Sequence, residues 1–359
     1  MNNAALSLVE FVIALSVLLF LHESGHYLSG RLFGIVAEEF GFGYPPKLIK
    51  LFNFAGTDFT LNLIPFGAFV RFKGENDPDV PGGFATAGKW KRLVTLMSGS
   101  LMNLLTGVML FAFFISQTGT PQTDVVEIAA VDDFSPAHAA GITAGDVLVA
   151  IDEIPVRSRQ EVSDLVQERL GEEISVTVLR SEKRITYTLV PREDPPSGEG
   201  PLGIVWQNPF EKISFLKSIP YGGRLVVEQS RQLLALPAML IRGELQSEEM
   251  WLLSPKGLYD VYSQVREDER MYEEGQPALA ILNIAWFFGI ISVALGFSNL
   301  LPIPALDGGR ILFLIPELLL NKRVPAKYEN MVHLIGYSAL LMVMVYVFYQ
   351  DFINPVVLP

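Results

Sequence analysis

A run from Ala4 to Leu21, apolar apart from Glu10 and a few small or hydroxyl residues, ends in His22-Glu23-Ser24-Gly25-His26. Leu6, Val9, Phe11, Val12, Ile13, Leu15 and Val17 to Leu21 make the run apolar on every side of a helix. A helix of that kind crosses a bilayer, at ~20 residues per span. The pentapeptide closing it has the H-E-x-x-H pattern, which puts two imidazoles on one helix face where both reach one zinc ion. Glu23 lies about 100° round the helix, off the metal and within reach of a water held there. Three fixed positions can match by chance, and two His and a Glu can serve as interfacial polar groups without a metal. Ionisable side chains at membrane depth are costly, however, and mark function by default. The expectation is a metal site with its own base, set inside a bilayer.

The composition narrows the chemistry. Half of the 359 residues are hydrophobic, which points to a membrane protein carrying a soluble insert. A net charge of −12 and the lack of any basic patch argue against nucleic acid as a partner. With no cysteine there is neither a disulfide framework nor a thiolate ligand. Of the four histidines, His138 reads as an exposed loop residue and His333 as an interfacial residue opening the last span. The metal is then expected to take two His plus an Asp or Glu. The N-terminal apolar run has no basic flank and no A-x-A-like cleavage site, so it reads as a retained span.

Along the chain, residues 28–92 form a first loop in which Gly41-Phe42-Gly43-Tyr44-Pro45-Pro46 reads as a turn cluster. Residues 57–72 read as short strands broken by Pro and Gly, apolar enough to sit in the interface against the spans. Non-helical backbone is tolerated at that depth only beside protein or a wet cavity, and a strand edge there can hold an extended peptide. Leu93 to Ser116 is a second span, with Ser98, Gly99, Ser100 and Gly107 suited to close packing. Asn103 is its mid-span polar group, either an interhelical hydrogen-bonding residue or one lining the active site. Phe215–Glu244 is amphipathic at helical spacing with basic residues at both ends, an interfacial helix rather than a span. A third span from about Ala278 breaks at Asn299-Leu300-Leu301-Pro302-Ile303-Pro304-Ala305-Leu306-Asp307-Gly308-Gly309, with Asp307 in the break. The last span is about Met331 to Tyr349.

Lys and Arg set the orientation. They gather in the 28–92 loop and in the turn with Arg310, Lys322, Arg323 and Lys327, which puts both segments in the cytoplasm. His22, His26 and Asp307 then share the cytoplasmic end of their spans.

Between the second and third spans the character turns soluble. Ser135-Pro136-Ala137, Ala140-Gly141-Ile142, Gly145-Asp146-Val147-Leu148 and Pro155-Val156 resemble the signature of bacterial protease PDZ domains. A helix at Ser158–Leu170 and strands at Ile174–Arg180 and Ile185–Pro191 complete one such module. PDZ folds bind extended chains or C-termini by strand addition, so a peptide in that groove is an expected partner.

Over nearly its whole length the chain resembles the site-2 protease family, the intramembrane zinc metalloproteases, in its bacterial form with a PDZ domain. The resemblance rests on His22-Glu23-Ser24-Gly25-His26, Gly41-Phe42-Gly43, Met97-Ser98-Gly99-Ser100-Leu101-Met102-Asn103, the PDZ module and the segment from Asn299 to Gly309. It implies that zinc is held by His22, His26 and Asp307, that Glu23 is the general base and that Asn299 helps hold substrate. Asn103 is taken with Asn299 as a substrate-binding candidate. The implied fold is an α-helical polytopic membrane protein with about four transmembrane helices, a membrane-associated β-segment and one inserted α+β PDZ domain. Its parts are a first half of the membrane core at 1–120 (spans about 4–27 and 93–116, β-segment about 57–72), the PDZ domain at 121–193, a linker with the juxtamembrane helix at 194–277, and a second half at 278–359 (spans about 278–300 and 331–349). The implied reaction is hydrolysis within or near the transmembrane segment of a single-span membrane protein, after an earlier protease has trimmed it. The implied location is the bacterial inner membrane with the PDZ domain extracytoplasmic. Ser254-Pro255-Lys256-Gly257-Leu258 departs from the family's Gly-Pro-x-Gly-Ile, and one PDZ module stands where the family often has two.

A reading from another class is a catalytically silent membrane adaptor that works through its PDZ domain, but a binder has no use for Glu23. A metal transporter would need polar residues distributed along the spans, and these are lacking.

Overall fold

The computed structural model describes residues 3–75, 77, 79–243, 253–272 and 277–355. Helix α1 (Asn3–Leu32) runs without a break through His22 and His26, because nothing in it interrupts helical propensity. Ile35 N–H then bonds back to Gly30, and Gly34 turns the chain out at φ +74°. Strands β1 (Ala37–Phe54) and β2 (Thr57–Phe72) follow as one antiparallel sheet. Both strands are long and bent, so residues 39–42 pair on one side with 58–61 and residues 37–42 on the other with 68–72. The segment 68–72 is therefore an outer ply. The Gly41–Pro46 stretch, expected as a turn, lies inside β1 and makes its bend instead. The glycines are there for close approach: a Cβ on Gly41 would strike the Phe69 ring, and one on Gly43 (φ +77°) the Ile64 carbonyl. Phe20 and Tyr27 of α1 pack on Phe40, Phe42 and Phe59, which fastens the sheet to the helix.

Helix α2 (Lys89–Thr118) crosses α1 at small residues. Gly25 has no room for a Cβ against the Ser98 carbonyl, nor Gly99 against the His26 imidazole. Such contacts bring membrane helices to backbone distance.

Residues Ser116–Ser214 form a separate compact unit. In order it contains β3 (Thr120–Pro121), β4 (Val126–Val131), α3 (Pro136–Ala140), β5 (Val147–Ile151) and β6 (Ile154–Pro155). Helix α4 (Arg159–Gln167) and strands β7 (Ile174–Arg180), β8 (Lys183–Leu189), β9 (Ile204–Gln207) and β10 (Phe210–Glu211) complete it. The main sheet has the order β8-β7-β5-β4-β9, with β6 on β5. Alternate residues Ile174, Val176 and Val178 of β7 face a core shared with Ile128, Leu148, Ile151, Val162 and Val166, as period-2 patterning requires. Under this core Arg180 grips Asp146 with Nε and Nη2, each 2.6 Å from a carboxylate oxygen. Burial pushes the Asp146 carboxyl up, but the Arg180 guanidinium and the Thr143 amide outweigh it and hold it below the usual carboxylate range. The boundary expected at 193 moves to 214, because Leu202, Ile204 and Trp206 join this core and β9 pairs with β4. The 194–214 stretch is structure, not linker.

The chain continues with α5 (Phe215–Arg242), α6 (Pro255–Tyr272), α7 (Pro277–Leu300), α8 (Asp307–Leu320) and α9 (Ala326–Ile353). Among the described residues four helices are long and apolar enough to cross a membrane: Ala5–Leu32, Lys89–Thr118, Ile281–Leu300 and Ala326–Ile353. Helix α5 lies against α2, with the Ser218 hydroxyl donating to the Ala112 carbonyl at 2.7 Å and Gly222 against Val108. Helix α6, which the sequence pattern did not announce, packs Tyr262 between Phe11 and Phe288. Ser254 caps it, accepting from Lys256 N–H at 3.2 Å, the usual task of a serine at a helix start. The buried Asp351 carboxylate accepts from Ser254 N–H at 2.8 Å, which ties α6 to the end of α9. Gly257 leaves the space that Asp351 occupies.

Candidate metal centre

Helical spacing puts His22 and His26 one turn apart on α1, and their Nε2 atoms are 3.1 Å from each other. The third corner comes from far along the chain. Asp307 Oδ2 is 3.1 Å from His22 Nε2 and 3.2 Å from His26 Nε2. A tetrahedron of ligands ~2.0 Å from a zinc ion has an edge of about 3.3 Å, so this triangle fits one ion with a fourth position open. The donor set of two imidazoles and a carboxylate suits zinc as well. Among the described residues this is the one group of three or more His and carboxylate side chains so placed.

Asp307 is delivered by the break after α7. Pro302 and Pro304 cannot continue a helix, and Ala305 takes φ +85°, a left-handed conformation uncommon for a residue with a Cβ. Its N–H donates to His333 Nδ1 at 3.0 Å. On the same side, Gly336 leaves no room for a Cβ against Pro304. The last span thus holds the loop. Gly308 and Gly309 have no space for a Cβ against the carbonyls of Leu301 and Ile303, which lets α8 start directly under the loop. Asp307 falls in the first turn of α8, where a negative charge meets the positive end of the helix dipole.

Each imidazole is backed on its other edge. His26 Nδ1 is 2.7 Å from the Thr95 carbonyl, and His22 Nδ1 is 3.4 Å from the Asn103 amide. Glu23 is outside the triangle. Its Oε2 accepts the Val70 N–H at 3.0 Å, which joins the outer ply of the sheet to the metal helix. A cavity of about 170 Å³ opens here, lined among others by Glu23, His26, Phe69, Val70, Ala305 and Asp307. Its lining also includes Arg310, one turn beyond Asp307, which pairs with Glu75.

The structure therefore brings His22, His26 and Asp307 together with Glu23 alongside. Two other expected residues lie outside the triangle. Asn103 is 1% exposed and stands behind His22, away from the cavity, so its position is that of a ligand's neighbour rather than a peptide contact. Asn299 is half-buried at the end of α7, with Nδ2 donating to the Leu295 carbonyl at 3.1 Å. His333, expected as an interfacial residue, accepts the N–H of the Asp307 loop, and its Nε2 is buried. Its helical spacing to Gly336 was the one available signal. His138 is exposed on α3, and Glu317 is paired with Arg92.

With this geometry in place, comparison with known proteins gives the class. The profile of peptidase family M50, the site-2 protease family, matches residues 10–343, and the chain belongs to that family. Proteins named as zinc metalloproteases resemble it end to end. One from Bartonella henselae is 29% identical over 364 residues, covering 94% of this chain and 98% of its own. One from Clostridium perfringens is 28% identical over 347 residues, covering 96% and 98%. Among solved structures, the PDZ domain of an SdrC-like protein from Listeria monocytogenes is 25% identical, covering 23% of this chain and 87% of its own, with a TM-score of 0.21. The chain is a multi-pass membrane protein of a peptidase family.

Proposed function

We propose that this protein is a zinc-dependent endopeptidase that cuts single-span membrane proteins within or near their transmembrane segments. The observation that carries the reading is the His22, His26 and Asp307 triangle with Glu23 beside it, opening on a cavity walled by a strand. Zinc, when bound by these three side chains, supplies a Lewis acid at the scissile carbonyl. Glu23 is the proton carrier. Its Oε2 is engaged by Val70, so Oε1 is the oxygen that takes a proton from a water in the cavity and passes it to the leaving amine. The hydrogen bond from Val70 also restricts the carboxylate to one rotamer, which shortens the search for that geometry.

A helical substrate hides its backbone in its own hydrogen bonds and has to unwind before it is cut. The 68–72 segment offers an unwound chain a strand to lie along, and Asn299 is proposed to supply a further polar contact. The clustering of Lys and Arg argues for the bacterial inner membrane with the metal site at the cytoplasmic end and the Ser116–Ser214 module extracytoplasmic. The PDZ-type groove of that module would take a peptide or a C-terminus. Substrates already trimmed outside, such as anti-sigma factors or signal-peptide remnants, fit regulated intramembrane proteolysis of this kind.

Glu23→Gln tests the reading. The amide cannot accept a proton, and loss of a general base typically costs ~10²–10⁴ in rate. The variant should keep its zinc, hold single-span partners uncleaved in native membranes, and release them by crosslinking and purification. Wild-type protein should cleave the same partners in detergent at a chelator-sensitive rate. Cleavage by Glu23→Gln at the wild-type rate would refute Glu23 as the base, and failure of wild-type protein to cleave any such partner would leave the adaptor.

A further inference from the structure

We propose that Asn103 is a positioning residue for His22: its side-chain carbonyl accepts the imidazole Nδ1–H and so fixes Nε2 as the nitrogen that faces the metal. The inference rests on the zinc reading above. It starts from a mismatch in the buried polar groups of α2.

His22 presents Nε2 to the triangle. A neutral imidazole that binds through Nε2 carries its hydrogen on Nδ1 and has to donate it. The group facing that edge is the Asn103 amide, with Nδ2 3.4 Å from Nδ1. An NH₂ opposite an N–H makes no hydrogen bond. Asn103 Oδ1, meanwhile, is buried with no hydrogen-bond partner. Turning the amide by 180° about its Cβ–Cγ bond exchanges the two atoms without moving anything else. Oδ1 then meets the Nδ1–H, and the acceptor that lacked a donor has one.

Two further observations point the same way. His26 already has this arrangement, with its Nδ1 2.7 Å from the Thr95 carbonyl. Thr95 and Asn103 lie eight residues apart on α2, close to two turns, so a single helix can serve both ligands. Asn103 is also held from behind. Its main-chain carbonyl accepts the Ser292 hydroxyl at 2.8 Å, and Gly296 of α7 leaves room for its Cβ. The residue is 1% exposed, which suits a fixed acceptor and not a surface that admits a peptide.

The test is zinc affinity of the full chain in detergent, measured by competition with a chromophoric chelator. Wild-type protein that binds no zinc would undo the zinc reading itself, which is a separate outcome from those below. With zinc bound by wild type, Asn103→Leu keeps the branched shape of the side chain and removes the acceptor. Its zinc dissociation constant should rise about 10–100-fold, the usual effect of losing a hydrogen-bond partner of a metal-bound His. Asn103→Asp restores an acceptor and should bind zinc at least as tightly as wild type. If Asn103→Leu loses its cooperative thermal transition, Asn103→Asp decides alone, and a dissociation constant tenfold above wild type overturns the proposal. Equal weakening in both folded variants also overturns it, because an acceptor at that position would then make no difference. So does unchanged zinc affinity in Asn103→Leu together with a raised KM, which would make Asn103 a substrate contact.

Discussion

The main-chain N–H of Val70 donates to Glu23 Oε2 at 3.0 Å, so the outer ply of the β-sheet and the metal helix meet at the proposed base. Val70 pairs with Phe40 on its other side, and Phe40 packs against Phe20 and, edge to face, Tyr27 of α1. The sheet is thus both packed on the helix and hydrogen-bonded to its functional carboxylate. Whatever displaces the sheet also releases Glu23.

Val70→Pro tests that link. The proline removes the outward N–H while leaving the Phe40 side of the strand able to pair, which outer strands tolerate. Zinc content should stay at the wild-type value and turnover should fall by about tenfold, the share of a ~10²–10⁴-fold base effect lost when the base is present but mobile. Unchanged turnover in protein of wild-type fold would show that Glu23 does not need the contact.

Metal content follows from the triangle. Purified protein should carry about one zinc per chain, the expectation for three ligands around one ion. His22→Ala, His26→Ala and Asp307→Ala should each reduce it, as read by atomic absorption. Full occupancy in Asp307→Ala would remove that carboxylate from the ligand set.

His333→Leu addresses the loop behind Asp307. The change removes the acceptor of the Ala305 N–H and leaves a residue at φ +85° without its restraint. Zinc should be lost to a chelator faster than from wild type, while His333→Asn, which keeps an acceptor, should recover part of the difference. Identical rates in wild type and His333→Leu would mean that Gly336 and Pro304 hold the loop by packing alone.

Topology is open to reporter fusions. A reporter after Glu199 should read as extracytoplasmic and one after Asn321 as cytoplasmic. The opposite pattern would reverse the side from which His22, His26 and Asp307 are reached.

The Asp146 and Arg180 pair makes a prediction about pH. The folded carboxyl is held below its ordinary value, so its contribution is present above about pH 4 and is lost as the pH falls through the lower folded value. Asp146→Ala should destabilise the Ser116–Ser214 unit by about 1–3 kcal/mol at neutral pH, by loss of hydrogen bonds to a buried group. The gap between variant and wild type should narrow on acidification. Thermal unfolding of the two proteins across that range checks it, and a constant gap would contradict the linkage.

Much of this protein was set by residue type and local period alone. The apolar runs mark spans because every residue in them is compatible with lipid. The alternation of Ile174, Val176 and Val178 marks a strand with one face inside. His22, Glu23 and His26 are placed by the pitch of one helix, so five residues are enough to read them. Asp307 could be paired with them only through resemblance and the shared membrane end, since 285 residues separate it from His22. Tertiary structure decided the rest. Gly41 to Pro46 has the local chemistry of a turn, yet pairing on both sides of residues 39–42 keeps it within one bent strand. The 194–214 stretch is rich in Pro and Gly, but Leu202, Ile204 and Trp206 gain a core only once β4 lies beside them. From the sequence Asn103 reads either as an interhelical hydrogen-bonding residue or as one lining the active site, and His333 as an interfacial residue. Their partners, His22 Nδ1 and the Ala305 N–H, come from other helices and loops, and no periodicity within one segment can specify a hydrogen bond to another.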